Sequence, residues 1–153
     1  MPQVSDDLVT DRPIEAVFDF AATAGHWPRW HPAARRVEGA VDRPARLGDR
    51  ILEQVTVAGV DNTVTWTIVD CERPQRLAFT TDVDAGQVRI GYALAALADG
   101  RTRFRRTVDF PDLGPAFADA MRAQSVEGLA NLARLLAEGG ADPAPAAAAD
   151  PVG

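Results

Sequence analysis

The apolar positions of the chain change period along its length. Gln3–Thr10 has apolar residues at Val4, Leu8 and Val9 and reads as a strand. Over 11–20 the spacing turns helical: Ile14, Val17 and Phe18 recur on one side, behind Asp11 as a candidate cap and a proline where a first turn needs no amide. Residues 22–32 hold two prolines and predict no more than a turn or two of helix. From 35 to 110 the pattern is one of short runs of β-formers between turns, which predicts strands at 36–39, Arg50–Val57, 62–71, 76–82, 88–96 and 102–110. The run 62–71 alternates cleanly, with Val64, Trp66 and Ile68 on one face and Thr63, Thr65 and Thr67 on the other. Asp99-Gly100 marks a hairpin. After the breaker Pro111-Asp112-Leu113-Gly114-Pro115, residues 116–138 carry a helical stripe of Phe117, Met121, Gln124, Gly128, Leu132 and Leu135, supported by Leu129 and Leu136, and Gly139-Gly140 ends it.

Hairpin-linked strands imply antiparallel pairing. A sheet with one apolar face needs a cover, and only the last helix is long enough to supply it. The expected fold class is therefore α+β: a seven-stranded curved antiparallel sheet, two short helices, and one long C-terminal helix packed across it. One domain is expected over 1–138. The segment 139–153 is almost all Ala, Pro and Gly and is expected to be a disordered tail.

Composition narrows the function classes. Of 153 residues, 46% are hydrophobic and 25% charged, the balance of a soluble globular domain. The net charge is −6, so a nucleic-acid partner is not expected. No apolar run is long enough to insert in a bilayer. The N-terminal residues lack the features of a signal peptide, and the default location is cytoplasmic. Cys71 is the one cysteine, so no internal disulfide is expected; with His26 and His31 as the only imidazoles, neither a metal site nor a cofactor is expected. All 16 basic residues are arginines, which reads as coding bias, so the cluster Arg101, Arg103, Arg105 and Arg106 is discounted as a patch: three of the four should face solvent.

The order of elements resembles the SRPBCC, or START-like, superfamily with its helix-grip fold, which includes polyketide cyclase and dehydratase-like proteins and lipid-transfer domains. The resemblance rests on Asp11-Arg12-Pro13-Ile14-Glu15-Ala16-Val17-Phe18, on Trp27-Pro28-Arg29-Trp30-His31-Pro32, on Leu47-Gly48-Asp49 and on Cys71-Glu72-Arg73-Pro74-Gln75-Arg76-Leu77. It covers about 4–136. It implies an elongated cavity between sheet and helix, with the short-helix region at its mouth. It supplies no shared catalytic constellation, because this superfamily hosts binders, carriers and enzymes alike.

Candidate site residues come from polar groups in phase with apolar ones. Glu53 lies between Ile51 and Val55, Tyr92 between Ile90 and Leu94, and Arg106 between Phe104 and Val108. Such groups are costly against a dry core, so they point either to a hydrated cavity or to buried pairing. With His31 they are the candidate catalytic residues. Trp27, Trp30, Trp66, Phe79, Phe117 and Met121 are candidate apolar walls, each with core packing as the alternative. Three readings follow. The first is binding of a small hydrophobic molecule, lipid-like or polyketide-like, in the cavity. The second is a polyketide cyclase or dehydratase-type enzyme, with Arg106 and Tyr92 stabilising an enolate and Glu53 or His31 moving a proton. The third is a partner-binding domain with a filled core. A homodimer is compatible with all three.

Overall fold

The computed structural model of the protein describes residues 1–139; the rest of the expected tail lies outside the described residues. The chain runs β1 (Gln3–Thr10), α1 (Ile14–Ala22), a 3-10 turn (Ala24–His26), α2 (Trp27–Trp30), β2 (Ala34–Gly39), β3 (Arg50–Val57), β4 (Val60–Glu72), β5 (Arg76–Val83), β6 (Gly86–Ala96), β7 (Thr102–Asp109) and α3 (Pro115–Ala137). The seven strands form one antiparallel sheet in the order β1-β7-β6-β5-β4-β3-β2. This is the helix-grip arrangement expected from the pattern of strands.

Several boundaries differ from the sequence reading for local reasons. Asp11 does not cap α1: Pro13 occupies the cap position, with no side-chain hydrogen bond, and Asp11 is exposed. Strand β4 begins at Val60 because the β3–β4 hairpin closes on a two-residue turn, Ala58-Gly59, both at positive φ (52° and 77°). Such a turn matches the twist of the flanking strands and extends their pairing to Val57 and Val60. Within β4 a register shift falls between Ile68 and Asp70. A bulge of this kind bends the strand and deepens the local twist, and here it helps curve the sheet around its apolar face.

The concave face is mainly apolar. Val4, Leu8, Ile51, Ile68, Leu77, Phe79, Ile90, Leu94, Phe104 and Val108 are all buried. Of the arginine cluster, Arg101, Arg103 and Arg105 are exposed and Arg106 is buried, as strand alternation requires. Helix α1 buries Val17, Phe18, Phe20, Ala21 and Ala22 at one end of the sheet, and Arg73 ties it to the β4–β5 turn through two 2.8 Å hydrogen bonds to Asp19.

At 23 residues, α3 is about 34 Å long. Both of its flanks are pinned. On the β1 side the Ser125 hydroxyl donates to Asp6 Oδ2 at 2.6 Å, and Arg12 Nε donates to the Leu136 carbonyl at 2.7 Å. On the other side Asn131 Nδ2 donates to the Trp30 carbonyl at 3.0 Å and Gln124 Nε2 to the Thr56 carbonyl at 3.1 Å. Gly128 faces the loop after α2. A Cβ there would stand 3.3 Å from the His31 ring, so a side chain at this position would require that ring to give way by a few tenths of an ångström. The C-terminal half of α3 seals the core with Leu129, Leu132 and Leu136, while toward its N-terminus Phe117 and Met121 are only half-buried. The helix is thus held at its sides and at one end, and the sheet curves away beneath the other.

Candidate functional site

The gap left there is a cavity of about 640 Å³, open at the end formed by the β3–β4 and β5–β6 turns and the 111–115 segment. Its volume lies within the range of small-molecule sites.

The ten residues singled out in the sequence all line it. Trp66 on β4, Phe79 on β5 and Trp27 on α2 form an aromatic wall: Phe79 stacks on Trp27 with ring centroids 5.0 Å apart and meets Trp66 edge-on at 5.1 Å. Trp30 is buried, with its ring 6.4 Å from Tyr92. Phe117 and Met121 line the cavity from α3. The remaining four, His31, Glu53, Tyr92 and Arg106, bring polar atoms to the same space.

Glu53 is 6% exposed and accepts a 2.7 Å hydrogen bond from Trp66 Nε1. Burial pushes its carboxyl up to about 7, against the opposing pull of the Trp66 hydrogen bond and the Arg106 charge. Arg106 is 5% exposed and pairs across β7–β6 with Tyr92, beside whose hydroxyl its guanidinium sits. Burial pulls the guanidinium down from its usual range, but an arginine remains a cation in any protein setting. Burial also raises the Tyr92 phenol above its ordinary value, so it stays a neutral donor. His31 is half-buried; desolvation, and then the Arg106 charge, hold its imidazole well below 6.5. Its Nδ1 accepts the Ala33 amide at 3.2 Å, which assigns the proton of the neutral ring to Nε2.

Three polar atoms of the cavity-lining residues are buried without a partner among the described residues: Arg106 Nε, Trp30 Nε1 and Gln124 Oε1. Buried polar atoms are normally satisfied, so these mark where the wall is incomplete on its own. The arrangement places a cationic donor and a phenol on the β6–β7 side and a carboxyl able to exchange a proton near neutrality on the β3 side. Groups so placed can hold a carbonyl or oxyanion and can shift a proton.

The two histidines separate. His26 is buried against Phe20, stacked at 4.1 Å, with Nδ1 3.0 Å from the Phe20 carbonyl, and takes no part in the cavity. Cys71, at the far end of β4, is half-buried; burial raises its thiol above the ordinary range, which leaves it a poor nucleophile. Residues not singled out in the sequence also contribute. Val57, Ala58, Val60, Val83, Ala85 and Leu113 ring the opening, with Asp82 and Asp84 among them, and Thr81 and Asn62 add hydroxyl and amide groups. Most of these lie in or next to turns, where the alternation of side chains gives no direction.

Comparison with known proteins agrees with this architecture. The chain is 28% identical over 109 residues to "Penitrem biosynthesis cluster 1 protein I" of Penicillium ochrochloron, covering 67% of this chain and 71% of that protein. Among solved structures it superposes on the AHSA1-like protein of Aeromonas hydrophila with a TM-score of 0.66 at 21% identity, over 92% of this chain and 96% of that one. It also superposes on the di-domain ARO/CYC BexL from the BE-7585A biosynthetic pathway, with a TM-score of 0.67 at 20% identity, over 90% of this chain and 47% of that one. At such identities the two structures share the fold with this chain. The family described as polyketide cyclase / dehydrase and lipid transport matches residues 1–137, nine-tenths of the sequence, and it is to this family, with its SRPBCC-type helix-grip fold, that the chain belongs.

Proposed function

We propose that the protein binds one small hydrophobic molecule, lipid-like or polyketide-like, in the cavity between the sheet and α3. The observation that carries this reading is the open space itself: about 640 Å³ walled largely by Val, Ala, Trp and Phe side chains, with polar groups to fix orientation. A domain serving only to dock a partner would have no reason to leave its core unfilled, since empty apolar volume lowers stability. The opening is wide enough at the turns for exchange with solvent.

The neutral fluorescent probe N-phenyl-1-naphthylamine tests the reading. Saturable binding at one probe per chain is expected. Trp66→Ala, which removes a large part of the aromatic wall, is expected to weaken that binding about tenfold, corresponding to roughly 1.4 kcal/mol of lost contact. Unchanged affinity in a folded variant would take Trp66 out of the binding surface. Absence of any binding to the wild-type chain would remove the proposal. Native mass spectrometry of the purified protein would reveal a retained ligand directly.

A second reading is favoured by one observation, the Glu53 carboxyl pushed to about 7 across from Arg106 and Tyr92. In a cyclase or dehydratase acting on a polyketide-like substrate, Arg106 and Tyr92 stabilise the developing enolate oxygen while Glu53 or His31 moves the proton. The family description and the biosynthetic settings of the Penicillium protein and BexL support this chemistry by analogy. The two readings part on Glu53→Gln: a binder keeps its affinity, whereas an enzyme keeps affinity and loses turnover.

A further inference from the structure

From the unpaired Nε of Arg106 inside the cavity, we infer that the bound molecule carries a carboxylate head, seated on Arg106 and Tyr92 with its apolar body toward the opening. This rests on the binding reading above and specifies its ligand.

The argument begins with what surrounds Arg106. Its side chain is nearly fully buried and lines the cavity, yet Nε has no partner. Arginine presents its N–H groups as a fork that fits two coplanar oxygens, and an anionic acceptor strengthens each bond roughly twofold over a neutral one. The charged and titratable neighbours do not fill this role. Tyr92, across the β6–β7 pair, is a neutral phenol whose oxygen accepts from the guanidinium and whose own O–H remains a donor; it leaves Nε unpaired. His31, across the cavity, is a neutral ring with its Nε2–H available as a donor. Glu53 is engaged by Trp66 Nε1. Asp6, the register partner of Arg106 on β1, is held by the Ser125 hydroxyl at 2.6 Å and forms no ion pair with Arg106 within 4 Å; it offsets the charge from a distance and leaves Nε unpaired. Arg106 Nε therefore lines the cavity with no acceptor of the described residues within hydrogen-bond reach, and the Tyr92 hydroxyl lies beside the guanidinium. Asp82 and Asp84 sit at the opening, far along the cavity from this cluster, so like charge disfavours an acid head at that end and orients it inward.

The test compares 11-(dansylamino)undecanoic acid with its methyl ester, which share an apolar body and differ in the head. The acid is expected to bind the wild-type protein at least about tenfold more tightly, the ratio of a charge-assisted over a neutral hydrogen bond. Arg106→Gln is expected to erase that preference, bringing the affinities for acid and ester within about twofold of each other. Arg106→Lys keeps the charge, loses the fork, and is expected to retain only part of the preference. Equal affinity of acid and ester for the wild-type chain overturns the inference and leaves the cavity reading standing, and it needs no variant that folds. An acid preference that survives Arg106→Gln also overturns it. Failure of both probes to bind removes the cavity reading and this inference together.

Discussion

Glu53→Gln is expected to stabilise the protein by about 3 kcal/mol at pH 8 and to change its stability little at pH 5. The folded chain holds the Glu53 carboxyl at about 7 instead of its ordinary 4.5, chiefly because burial disfavours the charged form. Between these two values the folded state keeps a proton that the unfolded chain has released. Stability therefore falls as pH rises through this window, at about 1.4 kcal/mol per pH unit, and the full deficit stands above pH 7. Below 4.5 both states are protonated and the deficit vanishes. Glutamine removes the titration but keeps an Oε1 to accept the Trp66 Nε1–H bond, so the variant is relieved of the charge without losing its partner. Urea unfolding of both proteins at pH 5 and pH 8 measures the difference. Equal gains at the two values, or a loss at pH 8, would show that Glu53 is not the buried acid described.

How far the sequence discloses this site depends on how each residue is positioned. Tyr92 and Arg106 were legible because strand alternation is strict: a polar residue between two buried apolar ones must face inward, and the β6–β7 register places the two side by side. The same logic found Glu53 and Trp66, but not the hydrogen bond between them: Glu53 is paired with Val64, and Trp66 with Ile51, two residues along on either strand. The ring of Val57, Ala58, Val83, Ala85 and Leu113 was not legible, since turns obey no period and their approach to one another is set by sheet curvature. That curvature owes part of its size to the irregularity at Ile68/Asp70, inside a run whose sequence alternates without a visible break. His31 alone of the two histidines was singled out, and the intervening α2 turn sends His26 beneath Phe20 and His31 to the cavity. The Asp6–Ser125 contact joins residues 119 apart and has no local signature at all.

Helix α3 shows the same division within a single element. Phe117, Met121, Gln124, Gly128 and Leu132 form one stripe by spacing, but in the structure its N-terminal part faces open volume and its C-terminal part faces packed side chains. Leu132→Ala is accordingly expected to cost about 2–5 kcal/mol, because Leu132 is fully buried among Leu129, Leu136 and the core, and the gap cannot close between a helix and a sheet pinned by hydrogen bonds on both flanks. Its probe affinity should remain near that of the wild type wherever the variant is folded, since Leu132 does not reach the cavity. Met121→Ala should show the converse. Its side chain is half-buried against space already empty, so truncation creates little new cavity and is expected to cost under about 1 kcal/mol, the size of a substitution away from the packed core. Yet it removes an adaptable wall from the binding volume and should weaken N-phenyl-1-naphthylamine binding several-fold. Thermal or urea unfolding paired with probe titration separates the two effects. If Met121→Ala proved as destabilising as Leu132→Ala, the volume beneath the first turns of α3 would be filled by protein, and neither a ligand nor the unpaired edge of Arg106 would have room there.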